Sequence, residues 1–154
     1  MNQAAPTGAA QLHVLIDGKV VEFDQPVPTA KAAAEVLGCE VGAIANSLIF
    51  DADGEPVLVL TSGAHRVNPE RVAALLAVGS LKRASREFVE RATGQPVGGV
   101  APVGHPTPLR TVVDVWLQRY DVLWAGAGTK HSMFPTSFDE LLRLTDGLAA
   151  DVGD

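Results

Sequence analysis

The chain has one cysteine, Cys39, in 154 residues. That rules out an intramolecular disulfide framework, and no CxxC or Cys/His cluster has the spacing of a structural zinc site. Positive charge is scarce: 12 Lys and Arg stand against 18 Asp and Glu, a formal net charge of −6. This balance argues against a broad nucleic-acid footprint built on phosphate neutralisation and leaves room for a short contact with a nucleic-acid end. His13, His65, His105 and His131 are scattered and form no HExxH pair, so neither a metal nor a cofactor is expected. Ser47 and Ser62 lie outside any Gly-x-Ser-x-Gly elbow, and each reads as a surface hydroxyl or strand-end cap. Gly126–Lys130 lacks the spacing of a phosphate-binding Walker loop. No run reaches transmembrane length, and Met1–Ala10 lacks the cationic and apolar regions of a signal peptide. No membrane partner and a cytoplasmic location are therefore expected.

What is present is an apolar content of 47%, enough for one domain with a sizeable core. Residues 1–10 are small and polar and read as a disordered segment, with a single domain over 11–150. The most distinctive stretch is Gly94–Gly104, GQPVGGVAPVG, which is neither helix nor ordinary strand. Gly98 and Gly99 let a ligand approach their backbone N–H groups closely, while Pro96 and Pro102 fix φ on either side. Donors preorganised in this way suit a carbonyl, a carboxylate or a developing oxyanion. The plainer alternative is a glycine-rich surface turn.

Along the chain, Leu12–Ile16 and Lys19–Phe23 flank Asp17-Gly18 as a hairpin, or Gln11–Asp17 forms a short helix stopped by Gly18. Thr29 caps a helix over Ala30–Leu37 with Gly38 behind it. A helical turn at Val41–Ala45 leads to a strand at Ser47–Asp51, a turn at Asp51–Gly54 and a returning strand at Pro56–Thr61. Asn68-Pro69-Glu70 starts a helix running to Val78. Leu81–Ala84 reads as a short strand and Ser85 as the start of a helix ended by Gly94. Leu109–Asp114, Asp121–Ala125 and Ser132–Phe134 are strands, with a helical turn at Val115–Arg119. Ser137–Glu140 is a capping box opening the last helix. Asp114 either orients a polar group or caps the turn after it. Tight returns between strands predict an α+β fold, a single compact domain with a mixed, mostly antiparallel sheet and helices packed around it.

The segments VGAIANSLIF (41–50), 59–68, 97–104, 110–114 and 125–130 occur together in this order. On them, above all Gly98-x-x-x-Pro102 and Gly63-Ala64-His65-Arg66-Val67-Asn68, the chain resembles the YbaK/prolyl-tRNA synthetase-associated domain family over roughly residues 20–147. The resemblance implies a trans-editing aminoacyl-tRNA deacylase of YbaK-like fold, hydrolysing the ester that joins an amino acid to the terminal adenosine of a mischarged tRNA. A ribose hydroxyl of the substrate would assist the water. The implied partners are the tRNA acceptor end carrying an amino acid and an aminoacyl-tRNA synthetase. Asn46, Gly98 and Gly99 are the expected reaction-centre residues. Ser47, His65, Arg66, Val100, Ala101, Pro102, Asp114, Gly126, Gly128, Lys130 and His131 are expected to hold the substrate.

One position departs from the family, whose members commonly carry a functionally important lysine where this chain has Asn46. Asparagine donates and accepts hydrogen bonds but brings no charge. Either Arg66, Lys130 or His131 supplies the cation, or the domain acts on a different aminoacyl group, or it binds an aminoacyl end or amino-acid derivative without hydrolysing it. The plain alternative for Asn46 is a residue that ends the preceding helical turn and satisfies local backbone groups.

Overall fold

The computed structural model describes residues 19–153. The segment 1–10, the expected Leu12–Ile16 strand or Gln11–Asp17 helix and the turn at Asp17-Gly18 lie outside them, while the expected Lys19–Phe23 strand is present as Val21–Glu22 and pairs with Ser132–Met133. Eight strands and four helices follow one another as β1 (Val21–Glu22), α1 (Ala30–Leu37), β2 (Ile44–Ala52), β3 (Glu55–Ser62), α2 (Pro69–Leu76) and β4 (Lys82–Arg83). Then come α3 (Arg86–Thr93), β5 (Arg110–Asp114), β6 (Leu123–Gly126), β7 (Ser132–Thr136), α4 (Phe138–Thr145) and β8 (Leu148–Ala150). Tight 3-10 turns occupy Val41–Ala43 and Val115–Arg119. The sheet runs β1-β7-β6-β2-β3-β5-β8, with β4 added on β2. Four pairings are antiparallel and three parallel, which is the mixed α+β sheet the tight returns predict.

The helix starts follow from local chemistry. Thr29, Asn68, Ser85 and Ser137 each accept a hydrogen bond from a first-turn N–H, satisfying donors that have no partner inside the helix. Ser137 does so without a reciprocal capping box, because the Glu140 carboxylate accepts from Thr136 Oγ1 at 2.6 Å instead. Helix α2 stops at Leu76, two residues before the expected end, because Ala77 turns left-handed (φ 57°) and its N–H returns to Ala73 and Ala74. The helical turn before β2 also stops early, at Ala43. Asn46 therefore lies within a strand and does not end a helix.

Val57-Leu58-Val59-Leu60 has no polar alternation, which is the pattern of a strand covered on both faces. Val57 and Val59 join one apolar cluster with Phe50, Val72 and Leu76, while Leu58 and Leu60 join another with Val100, Ala101, Val113 and Phe134. Each such fully buried side chain stabilises the fold by roughly 1.5–3 kcal/mol. β3 is thus the central plank, and the two faces of β2 beside it point into different layers. Strand β8, which pairs with β5, has no counterpart in the sequence reading. The packing continues past it to Val152, which is fully buried, and to a bridge between Val67 and Gly153.

Candidate active site

Strand β2 is paired with β3 from Ala45 to Ala52. On its other side β6 reaches only Ile44 and Ala45, and β4 only Phe50 and Asp51. The Ala84 N–H closes onto the Ile49 carbonyl at 3.2 Å. Among the described residues this leaves the edge at Asn46, Ser47 and Leu48 without a neighbouring strand. An unpaired edge is a row of backbone donors and acceptors, and a fold that keeps one inside must cover it or use it.

The glycine loop covers it. The Pro96 carbonyl accepts from the Gly99 N–H at 3.0 Å, and Gly98 between them has φ +89°, a tight-turn position that glycine fills without strain. A Cβ on Gly99 would lie 2.5 Å from the carbonyl carbon of Thr129, and one on Gly126 would lie 2.7 Å from the Val100 oxygen. The Gly128 N–H donates to the Gly99 carbonyl at 2.9 Å. The two glycine loops are therefore in direct backbone contact, and glycine at 99 and 126 is a condition of that contact.

Between these parts lies a narrow cleft with a cavity volume of about 40 Å3, lined by Asn46 and Ser47 from β2, Gly98 and Val100, Gly126 and Thr129, and Pro28, Thr29 and Ala30 at the start of α1. It continues into a hollow of about 290 Å3 that shares Asn46, Ser47, Gly98 and Val100 and adds Arg83, Val89 and Val97. Ser47 Oγ is buried and has no hydrogen-bond partner among the described residues. The N–H groups of Gly98 and Val100 likewise donate to no acceptor among the described residues. Gly98 is exposed and its N–H is open to solvent, whereas Ser47 Oγ and Val100 are buried; buried polar groups are nearly always paired, so unpaired ones beside a cleft are groups available to a ligand.

Deeper in the loop the polar groups are consumed by bracing. The Ala101 N–H donates to Gln95 Oε1 at 2.7 Å, the Ala101 carbonyl lies 2.8 Å from His105 Nε2, and Gln95 Nε2 donates to the Val103 carbonyl. Ala101 and Pro102 are buried, with Ala101 part of the core cluster behind the cleft. Burial pushes the His105 pKa down, partly offset by its hydrogen bond to Ala101. The sequence reading missed Gln95 and His105, and Arg83 and Pro28 as cleft residues. None has a spacing signal, since each reaches the site through the path of a distant segment.

The remaining expected site residues divide. Lys130 and His131 are exposed; the backbone nitrogen of Lys130 lies beside Gly99, and the Lys130 and His131 carbonyls accept from Val27 and Phe23. Arg66 is exposed, and its main chain packs against Gly153, away from the cleft lining. His65 and Asp114 form a second centre. Asp114 Oδ2 lies 2.8 Å from His65 Nδ1 and accepts from Thr61 Oγ1 and the Ser62 N–H, while Oδ1 accepts from the Trp116 N–H. Asp114 thus both orients a polar group and caps the turn. Among the described residues, no group of His, Cys, Asp and Glu could hold a metal ion, and no helix is long and apolar enough to cross a membrane.

A mixed sheet whose open edge faces two glycine loops in backbone contact frames the candidate site. Residues 24–144 match the aminoacyl-tRNA editing domain, and the chain belongs to that family. Similar domains occur in proline–tRNA ligases. That of Geobacter metallireducens is 38% identical over 94 residues, 59% of this chain and 16% of the ligase, so the chain spans about a sixth of the ligases it matches. The uncharacterized protein YwhH of Bacillus subtilis is 27% identical over 126 residues, 81% of this chain and 80% of that protein. A crystal structure described as a candidate trans-editing enzyme for prolyl tRNA synthetase superposes with a TM-score of 0.88 at 37% identity, covering 99% of both chains.

Proposed function

We propose that the cleft hydrolyses the ester of a mischarged aminoacyl-tRNA. The observation that supports this best is the gathering of Ser47 Oγ and the Gly98 and Val100 N–H groups, all without protein partners, around one cleft beside Asn46. In this reading the acyl carbonyl sits against the Gly98 and Val100 donors. Water attacks the carbonyl carbon with a ribose hydroxyl of the terminal adenosine assisting. The negative charge that grows on the carbonyl oxygen is held by preorganised backbone dipoles and by Ser47. Collapse of the intermediate expels the ribose oxygen, which takes up a proton, and releases the free amino acid. Ala30, Ala33, Ile44 and Met133 on the cleft wall favour a short side chain on that amino acid.

No charged side chain is needed in this scheme, which suits a chain with Asn46 at the family's lysine position. Arg83 at the outer hollow and Lys130 beside Gly99 are the cations that would meet the acceptor end. The neutrality of Asn46 also favours a second reading, in which the cleft binds an aminoacyl end without cleaving it. Deacylation of a panel of mischarged tRNAs by the parent, Asn46→Lys and Lys130→Ala separates the two. Under the first reading the parent hydrolyses at least one tRNA and Lys130→Ala weakens it. Under the second the parent is inert, and gain of hydrolysis in Asn46→Lys identifies the missing charge.

A further inference from the structure

The His65–Asp114 centre carries a surface feature that the proposed hydrolysis leaves unused. The Trp116 ring stacks on His65 with centroids 4.5 Å apart and planes at 21°. The Arg119 guanidinium lies over the Trp116 ring, 3.6 Å from its centroid. Beneath this column Asp114 fixes both His65 and the Trp116 backbone, so the stack is anchored to the end of β5. At its outer end Arg119 is exposed and, among the described residues, makes no ion pair. The column borders a cleft of about 550 Å3 that Gln118 and Asp151 also line. Asp151 is held by Arg71 at 3.1 Å.

We infer that this ledge stacks an unpaired nucleobase, and that it receives a base of the acceptor end whose aminoacyl ester lies in the β2 cleft. This rests on the reading of that cleft as the ester site. A guanidinium plane lying over an indole offers a flat, cationic surface of the kind that single-stranded bases stack on, and neighbouring amide and carboxylate groups can pair with a base edge. A phosphate is the poorer occupant, because the Asp151 carboxylate shares the cleft in a chain of net charge −6.

Position supports the same occupant. Asn46 pairs directly with Thr61 across β2 and β3, so their side chains share a face, and Thr61 Oγ1 donates to Asp114 at 3.1 Å. Asp114, which anchors the stack, is therefore about two strand spacings, roughly 10 Å, from Asn46 on the sheet face that Asn46 shares with Thr61, while Ser47 next to Asn46 faces the other layer across the open edge of β2. About three stacked nucleotides at roughly 3.4 Å each cover the separation of Asn46 and Asp114. The start of α1 links the two places, since Ala30 lines the ester cleft and a Cβ on Gly63 would lie 2.9 Å from it.

The test uses the full chain carrying Trp124→Phe, which leaves Trp116 as its one fluorophore of that type, and a short single-stranded RNA ending in CCA. The RNA should quench Trp116 emission, and Arg119→Ala and Arg119→Lys should each weaken its binding by about five- to a hundredfold, the range for one lost stacking contact. Lysine keeps the charge but not the plane, so parent-like binding in Arg119→Lys would mean a simple phosphate contact and overturn the inference. Absence of quenching, or unchanged affinity in both variants, overturns it as well. Turnover of an aminoacyl ester of adenosine alone should be unaffected by either change. If the parent cleaves no ester, the deacylase reading fails by itself and the RNA measurement still decides whether the ledge takes a base.

Discussion

The β2 cleft and the Asp114 carboxylate lie two strands apart on the sheet and treat their polar groups in opposite ways, although Trp116 Nε1 beside the carboxylate is, like Ser47 Oγ, buried without a partner among the described residues. Asp114 is fully buried and accepts from four groups on three segments of chain. In the cleft, Ser47 Oγ and two backbone N–H groups are left without protein partners. A saturated polar cluster fixes architecture, because removing one member strands the rest; an unsaturated one has been left for something else to complete. Substitutions should therefore separate the two regions by whether they cost stability or activity.

The largest effect on stability is expected from Asp114→Ala. It strands the Thr61 hydroxyl, the Ser62 and Trp116 N–H groups and His65 in a buried place, and should cost about 3–5 kcal/mol. Urea denaturation measures it. A loss under about 1 kcal/mol would mean that the centre is not the saturated anchor its hydrogen bonds describe.

Gly99→Ala should come next, and it crosses the boundary between the regions. The added Cβ meets the Thr129 backbone at 2.5 Å, which is no flexible side-chain end, so the two glycine loops must part. We expect a stability loss of about 1–3 kcal/mol together with a fall of about 10² or more in deacylation. Hydrolysis at the parent rate would show that the contact between the loops does not shape the acyl site.

Ser47→Ala gives the sharpest contrast with Asp114→Ala. Removing an unpaired buried hydroxyl should leave stability within about 0.5 kcal/mol of the parent or raise it slightly, as expected where no protein hydrogen bond is lost. Deacylation should fall by about 10- to 10³-fold if Ser47 faces the growing oxyanion. Destabilisation with intact activity would reverse the assignment of this residue from ligand contact to structural contact.

The parts of this molecule legible in its sequence are those set within a few residues. The caps at Thr29, Asn68-Pro69, Ser85 and Ser137 and the left-handed glycines at 38 and 94 are local chemistry. The unalternating run in β3 announces burial on both faces. Ser47 could not be read in this way: it looked like a surface hydroxyl or strand-end cap, yet it lies mid-strand with its oxygen buried. The gap at β2 depends on where β4 and β6 stop, and each is far away in the chain. β8 is a short strand with Leu148 exposed, so it carries no hydrophobic pattern and exists through its pairing with β5. The expected site residues were drawn from a motif resemblance. Three-dimensional placement then set Asn46, Ser47, Gly98, Val100 and Gly126 on one cleft and His65 and Asp114 on another.

The smallest effect should come from His105, which braces the glycine loop from behind. Its side chain is buried with Nε2 at 2.8 Å from the Ala101 carbonyl. The hollow beside it is otherwise lined by Pro102, Val103, Gly104, Pro108, Leu109, Thr111, Leu144 and Thr145, none of them charged. Burial lowers its pKa in the fold, the hydrogen bond to Ala101 opposing this only in part. The unfolded chain titrates near about 6.5. Between the folded and unfolded values the unfolded state holds more protons, so stability must rise with pH there. The His105 contribution is complete above about pH 6.5, drains away as pH falls through the folded value, and is constant below it. Urea midpoints at pH 7.5 and pH 5 should thus differ more in the parent than in His105→Gln, whose amide can still donate to Ala101 but does not titrate. Equal pH differences in the two proteins would mean that His105 takes up its proton without disturbing the loop, and that the brace behind Ala101 rests on Gln95 alone.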